Sequence, residues 1–335
     1  MNKFVARLQF ALLERRTIRA IIWFVAIGVL LYLAAVFWFG WQDTVTAFAS
    51  LGLQTLLIGA VLSSSSYLWR FGRWEFSLRC LVYTVPRLTH LGIYLSGLAL
   101  TATPGKSGET FRSALLVQHG VRVTNSLAAF LVDRGSDVLG MILLGMLAAM
   151  IAGQHFAWVW LLSLVLVLLG SSAFAYLLLH PFASAGWGRL GRSMTYFPIK
   201  VGQATLEAWA KVWTLPRVSA FSVVAMLAYG TQALVFSWFC HVLGTGISIA
   251  DCVLIFVQAT LFGAASMIPG GLGAMEAALV FQLVEHGVSD SSAMSLAISI
   301  RLVTLWFGML LGVFSLLIVS AQEPRTKGLS SNAVP

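Results

Sequence analysis

The sequence predicts an all-α polytopic membrane protein built from two inverted-topology repeats, each with a broken or re-entrant helical hairpin. Three observations predict it: the composition, a series of apolar runs, and a long-range likeness between two Pro/Gly-broken stretches. Of 335 residues, 59% are hydrophobic and only 10% are charged, and mean hydropathy is +0.88. A water-facing surface needs about a quarter of residues charged, so the chain cannot cover a soluble globule. The same figures exclude disorder, a collagen-like fibre and a secreted disulfide scaffold. Cys80, Cys240 and Cys252 are odd in number and lie in or beside apolar runs. They imply no disulfide framework, and no CxxC or HExxH spacing points to a metal. No cofactor is expected.

A membrane span takes about 20 apolar residues. Six runs qualify: 20–41, 50–69, 124–153, 156–180, 218–242 and 291–320. The first follows the basic stretch Arg15-Arg16-Thr17-Ile18-Arg19 and ends in Phe37-Trp38-Phe39-Gly40-Trp41. That aromatic belt replaces the small-residue site of a cleaved signal peptide, so it reads as a retained signal anchor. Two further stretches, 88–119 and 249–286, are broken by Pro and Gly near their middles. About six full spans plus two hairpins give about eight transmembrane elements or more.

Orientation follows from basic residues. They gather in the N-terminal segment, in a 70–87 loop (Arg70, Arg73, Arg79, Arg87), at Arg122, in a 181–217 loop and in the tail. The segments 42–49, 154–155, 243–248 and 287–290 carry none. Both termini are therefore expected to be cytoplasmic. The net charge of +9 reads as orientation signal and contact with anionic lipid head groups. The basic residues are scattered between spans, which argues against nucleic acid as a partner. The 181–217 loop interleaves Trp187, Phe197, Trp209 and Trp213 with its charges. An amphipathic interfacial helix and an ordinary connector are both open readings of it.

The stretch 88–119 leaves and regains the cytoplasmic side, and 249–286 leaves and regains the outer side. As helices, 88–103 and 109–119 would be about 24 Å and about 16 Å long, short for a core of about 30 Å, which favours a hairpin. The first copy reads TPGKSGETFRSALLVQHGV from Thr103, and the second IPGGLGAMEAALVFQLVEHGV from Ile268. Pro104 matches Pro269, Gly105 matches Gly270 and Gly108 matches Gly273. Glu109 with Glu276, His119 with His286, and Arg134 with Arg301 share one offset of 167 residues. Such a period is too long for a solenoid and suits a duplicated transporter half. The expected divisions are 1–19 (basic cytoplasmic N-terminus), 20–153 (first repeat), 154–320 (second repeat, with loop 181–217) and 321–335 (cytoplasmic tail).

Ten helical residues rise about 15 Å, half the hydrocarbon core. Glu109, Arg134, Glu276 and Arg301 should thus lie near mid-depth. Asp133 and Asp137, at i and i+4, share a helix face, and Lys106 and Arg112 flank Glu109. A charge at a helix centre costs at least about 2.5–3.5 kcal/mol on insertion scales, so these eight must face one another or a wet cavity. Two readings stay open. The four cations and four anions satisfy one another in a structural network, or they form a substrate site. Lys106 and Arg112 have Gly271 and Leu279 as counterparts, so the repeat does not require them, and an anionic group would use them. Asp133 and Asp137, opposite Ile300 and Thr304, would pair with those cations or carry a coupling proton. Pro104, Gly105, Gly108, Pro269, Gly270, Gly271 and Gly273 break the helices and allow close backbone approach.

The PGKSGETFR, LVDRGSD and IPGGLGAMEAAL segments resemble the lysylphosphatidylglycerol-synthase transmembrane-region, or flippase-like, family over roughly 20–320. The resemblance implies a bacterial inner-membrane lipid flippase or a lipid-linked transport role. The family's bifunctional members carry a soluble aminoacyl-transfer domain after the membrane region. This sequence ends at Pro335 without one, so an intrinsic enzyme is not expected.

The leading expectation is a translocator for an anionic or zwitterionic lipid, whose head group enters a polar groove between the hairpins. Lys106, Arg112, Arg134 and Arg301 would contact phosphate, while Glu109 and Glu276 hold the arginines or meet an amine. Membrane lipids are then the partners. The alternatives are an ion-coupled small-solute transporter, or a non-transporting subunit that docks a lipid- or glycolipid-pathway enzyme through 181–217. Gly140, Gly145, Gly308 and Gly312 allow close helix packing within a protomer as readily as between protomers, which leaves the oligomeric state open.

Overall fold

A computed structural model describes residues 51–102, 109–154 and 189–322, with isolated positions 23, 45, 49 and 163; for 189–200 it describes the backbone alone. The candidate spans 20–41 and 156–180, the segments 1–19 and 323–335, and Pro104, Gly105, Lys106 and Gly108 lie outside the described residues. Among the described residues every regular element is helical. Three helical stretches are long and apolar enough to cross a membrane: Val123–Ile151, Leu215–Val242 and Asp290–Ala321. They correspond to the runs at 124–153, 218–242 and 291–320.

Helix α1 (Leu53–Cys80) extends the run at 50–69 well beyond its apolar part. This corrects the expected 70–87 loop, since Arg70 and Arg73 are helical and buried. The reason is periodicity. Ser63, Ser66, Tyr67, Arg70, Arg73, Trp74 and Ser77 recur every three to four residues and form one buried stripe. The chain leaves the helix at Cys80, passes Val82 at φ 65° and starts α2 (Arg87–Ser96) behind Pro86.

Helix α2 tightens into a 3-10 turn, Gly97–Leu100, and the first broken stretch resumes as α3 (Phe111–Val117). Helix α4 (Val123–Ile151) follows. Most of the 181–217 connector is helix α5 (Arg189–Val212). Its Thr205, Leu206, Ala208 and Val212 are buried while Glu207 and Lys211 are exposed, the stripe of an amphipathic helix. Val212 packs with Val132 of α4 and with Phe221, so this end of the helix rests on protein. Helix α6 is Leu215–Val242.

The second broken stretch is α7 (Ile249–Ala265) and α8 (Ala274–Glu285), about 25 Å and about 18 Å long, joined by a 3-10 turn at Pro269–Gly271. Gly270, Gly271 and Gly273 all have positive φ, at 63°, 64° and 81°, which costs a residue with a Cβ about 1–2 kcal/mol. At Gly271 a Cβ would also press on the Gly263 backbone, 3.2 Å away. The two arms pack together at Gly263 and Met275. Helix α9 (Asp290–Arg301) passes through a π-helical turn, Leu302–Trp306, into α10 (Phe307–Gln322).

The largest apolar core joins α6, α7 and α8 around Phe236, Phe239, Phe256, Leu279 and Leu283. A second gathers Trp74, Ile93, Tyr94, Leu115 and Leu116 from α1, α2 and α3. Helices touch at glycine. A Cβ on Gly140 would meet Ala225, one on Gly308 would meet Tyr67, and one on Gly312 would meet the Leu98–Ala99 backbone. These three glycines are therefore used in packing within the chain.

Candidate functional site

Between the two broken stretches lies a cavity of about 220 Å³. Thr101 and Glu109 reach it from the first stretch, and Gly270, Gly271 and Met275 from the second. Arg134 and Asp137 come from α4, Tyr67 and Arg70 from α1, Tyr229 and Gln232 from α6, and Arg301 and Thr304 from the last helix. Its apolar walls include Phe256 and Leu305. The cavity therefore combines apolar surface with a few convergent charged and hydrogen-bonding groups, the usual make-up of a ligand site.

Both carboxylate–arginine pairs expected from the repeat are present. Arg301 Nε donates to Glu276 Oε1 at 2.9 Å, and its NH2 donates to the Gly270 carbonyl at 2.6 Å. Glu276 Oε2 in turn accepts from the Gly273 amide at 2.9 Å, closing the first turn of α8. One arginine thus holds both sides of the glycine turn. This satisfies backbone groups that would be costly to leave bare away from water.

The first pair is looser. Arg134 NH2 lies 3.5 Å from Glu109 and 3.2 Å from Asp137 Oδ2, and its side chain is 22% exposed. Glu109 also accepts from Thr101 Oγ1 at 3.2 Å and pairs with Arg112. Arg112 is fully buried. Its guanidinium packs against the rings of both Trp74 and Tyr94, 4.5 Å from each centroid. Trp74 Nε1 donates to His90 Nε2 at 3.0 Å, which orients that ring. Arg112 is not among the residues that line the cavity; it stands behind Glu109. Lys106 lies outside the described residues.

Asp133 and Asp137 meet a cation that the sequence reading placed in a cytoplasmic loop. Arg73 Nε donates to Asp133 Oδ1 at 2.8 Å and Arg73 NH2 to Asp137 Oδ1 at 2.7 Å. The even balance of four cations and four anions therefore omitted two arginines, Arg70 and Arg73. Tyr67, Tyr229 and Gln232 were also missed. The signal for Arg70 and Arg73 was the three-residue spacing that continues the Ser63–Ser66 stripe. Nothing in the local sequence marks Tyr229 or Gln232, whose place depends on α6 crossing α1.

Trp306 and its neighbours form a π-helical turn immediately after Arg301. Tyr67 Oη donates to the Thr304 carbonyl in that turn at 2.6 Å, tying α1 to the last helix beside the cavity. π-turns inside α-helices are frequent at functional sites. Farther out, His286 Nδ1 lies 2.7 Å from the Gln282 carbonyl at the end of α8.

A family model described as Lysylphosphatidylglycerol synthase TM region matches residues 25–312. The chain belongs to this family. No curated protein matches the chain at significant similarity. Members of the lysylphosphatidylglycerol synthase TM region family are membrane proteins whose name attaches them to lipid chemistry. The match spans the described helices almost completely, with both broken stretches and all the paired carboxylates and arginines inside it. The family describes the membrane part, not an aminoacyl-transfer part.

Proposed function

We propose that this family member is a lipid translocator of the bacterial inner membrane, with both termini cytoplasmic and without enzymatic activity of its own. In this reading the two halves are inverted repeats that rock about the cavity. An anionic or zwitterionic head group crosses through it while the acyl chains stay in lipid. One observation carries the reading. The cavity is lined by both broken stretches, and one of its arginines, Arg134, is part-exposed and only loosely held by carboxylates.

Arg134 would exchange Glu109 and Asp137 for a phosphate oxygen, or a zwitterion would replace both partners at once. Arg301 would hold the second turn in shape and present its backbone. Arg112 would act through Glu109, fixing the carboxylate that Arg134 leaves and regains. Lys106, in the sequence segment that joins the two arms of the first stretch, is a further candidate cation for the same phosphate.

The test is lipid movement in liposomes. The purified chain is reconstituted with head-group-labelled phosphatidylglycerol or phosphatidylcholine, and dithionite quenching reports the labels that reach the outer leaflet. Wild type should speed the movement of at least one of the two. Arg134→Ala, shown folded by its elution and unfolding midpoint, should remove that gain. No acceleration by wild type, or full acceleration by the folded variant, refutes the reading.

A further inference from the structure

Five arginines and four carboxylates meet around the cavity, and four of the arginines are accounted for. Arg73 is held by Asp133 and Asp137, Arg112 by Glu109, Arg134 by Glu109 and Asp137, and Arg301 by Glu276. Arg70 is different. It is only 7% exposed and it lines the cavity; its Nε has no hydrogen-bond partner, as is also true of one nitrogen on each of Arg73, Arg112 and Arg134. Among the described residues no carboxylate pairs with it. It stacks on the face of Tyr229, with Cζ 4.4 Å from the ring centroid, and Asp137 attracts it without forming an ion pair with it.

Burying a cation without an anion is costly unless something else compensates. The ring of Tyr229 supplies part of that compensation. A stacked guanidinium keeps its N–H donors, because stacking uses its face whereas ion pairing and hydrogen bonding use its edge. Arg70 is therefore held in place with its donors unspent. Among the described residues the five arginines exceed the four carboxylates by one positive charge, and Arg70 is the arginine outside any ion pair.

We infer that Arg70, stacked on Tyr229, is the primary anion-binding group of the cavity, and that its ligand is the singly charged oxyanion of a phosphate ester. The inference rests on the proposed lipid-translocating role and names the chemistry of its substrate. Planar, two-pronged donation to phosphate oxygens suits guanidinium better than ammonium. A monoanion offsets the net charge of these nine described groups without displacing any carboxylate. Arg134, already shared between two carboxylates, then takes the head group in a second step.

The experiment is binding to the purified full-length chain in a neutral detergent, read by native mass spectrometry. Dioleoyl-phosphatidylglycerol, dioleoylglycerol and inorganic phosphate are the probes. Wild type should hold phosphatidylglycerol at least tenfold more tightly than dioleoylglycerol, which has the same tails and no phosphate. Arg70→Gln should weaken phosphatidylglycerol binding at least tenfold and leave dioleoylglycerol unchanged. Without ligand its unfolding midpoint should equal or exceed that of wild type, because an uncompensated charge has gone. That pairing of weaker binding with undiminished stability is what a merely structural arginine would not give. If inorganic phosphate competes with the lipid and depends equally on Arg70, the site takes the free anion as well as the head group.

Wild-type affinity for phosphatidylglycerol in folded Arg70→Gln overturns the inference. It leaves the translocator reading standing if wild type still moves lipid and Arg134→Ala does not. Equal binding of phosphatidylglycerol and dioleoylglycerol by wild type overturns the inference directly. If the Gln variant does not fold, Arg70→Lys decides. It keeps the charge and the stem but loses the fork, so several-fold weaker binding supports the assignment and wild-type binding overturns it.

Discussion

Replacing Arg73 by Met tests whether the end of α1 is a cytoplasmic flank or part of the buried network. The side chain is fully buried, with Nε 2.8 Å from Asp133 and NH2 2.7 Å from Asp137. Met fills much of the stem's volume but removes the charge. Asp137 keeps Arg134 at 3.2 Å, whereas Asp133 loses its direct ion-pair partner, and its Oδ2 is already buried without a hydrogen bond. Stranding one partner of a buried pair costs about 3–5 kcal/mol. Arg87 is the control, because its side chain is 75% exposed and 3.6 Å from Glu75; an exposed pair of that kind contributes about 0–1 kcal/mol. The assay is unfolding in mixed micelles under increasing SDS, followed through the fluorescence of the 12 tryptophans. Arg73→Met should unfold at clearly lower denaturant than wild type, and Arg87→Met close to it. Adding Asp133→Asn to Arg73→Met should recover about 0.5–3 kcal/mol, the range of coupling between direct partners. If Arg73→Met is no more destabilising than Arg87→Met, Arg73 is solvated and the buried network is wrong.

Arg301→Lys keeps the charge but cannot reach both Glu276 and the Gly270 carbonyl; a loss of about 1–3 kcal/mol in the same unfolding assay is expected. Gly270→Ala puts a Cβ at φ 63° and should cost about 1–2 kcal/mol, with lipid movement falling more steeply than stability as the turn is reshaped. Gly312→Leu would drive a side chain into the Leu98–Ala99 backbone and should abolish a monodisperse elution peak, whereas Gly202→Leu, where a Cβ meets nothing, should elute normally. Tyr67→Phe removes the hydrogen bond to the Thr304 carbonyl and should lower stability by about 0.5–1.5 kcal/mol.

Glu109 with Arg134 and Glu276 with Arg301 were legible because one 167-residue offset relates the two carboxylates and the two arginines, and a charge in apolar surroundings is costly unless something compensates it. The glycine turn after Ile268 was legible because Pro and three glycines leave no other local structure. Arg73 was not. A basic residue just past an apolar run looks the same whether it faces head groups or a neighbouring helix. Only helical phase separates the two, and the serines at 63–66 obscured the stripe by lowering the hydropathy of α1. Arg112 was placed near the right carboxylate but in the wrong kind of surroundings. Its aromatic partners, Trp74 and Tyr94, come from two other elements, and no local pattern announces them.

The Glu109–Arg134 and Glu276–Arg301 pairs are in different states, and the difference assigns them different work in the proposed cycle. Arg301 is locked by a carboxylate, a carbonyl and a thioether, the last Met275 Sδ at 3.5 Å. Moving it would expose a bare carbonyl and release the α8 turn, so it suits a fixed element. Arg134 has longer contacts with two carboxylates, each of which keeps another cation when it leaves: Arg112 for Glu109 and Arg73 for Asp137. Its departure therefore strands no charge. That is the condition an exchangeable arginine must meet in a low-dielectric interior, where removing the sole partner of a buried charge is what makes such motion prohibitive. At the same 167-residue offset, Arg112, Asp133 and Asp137 match Leu279, Ile300 and Thr304. The first three are the groups that leave Arg134 free to move, so departure from the repeated sequence spacing falls where the proposed substrate contact needs it.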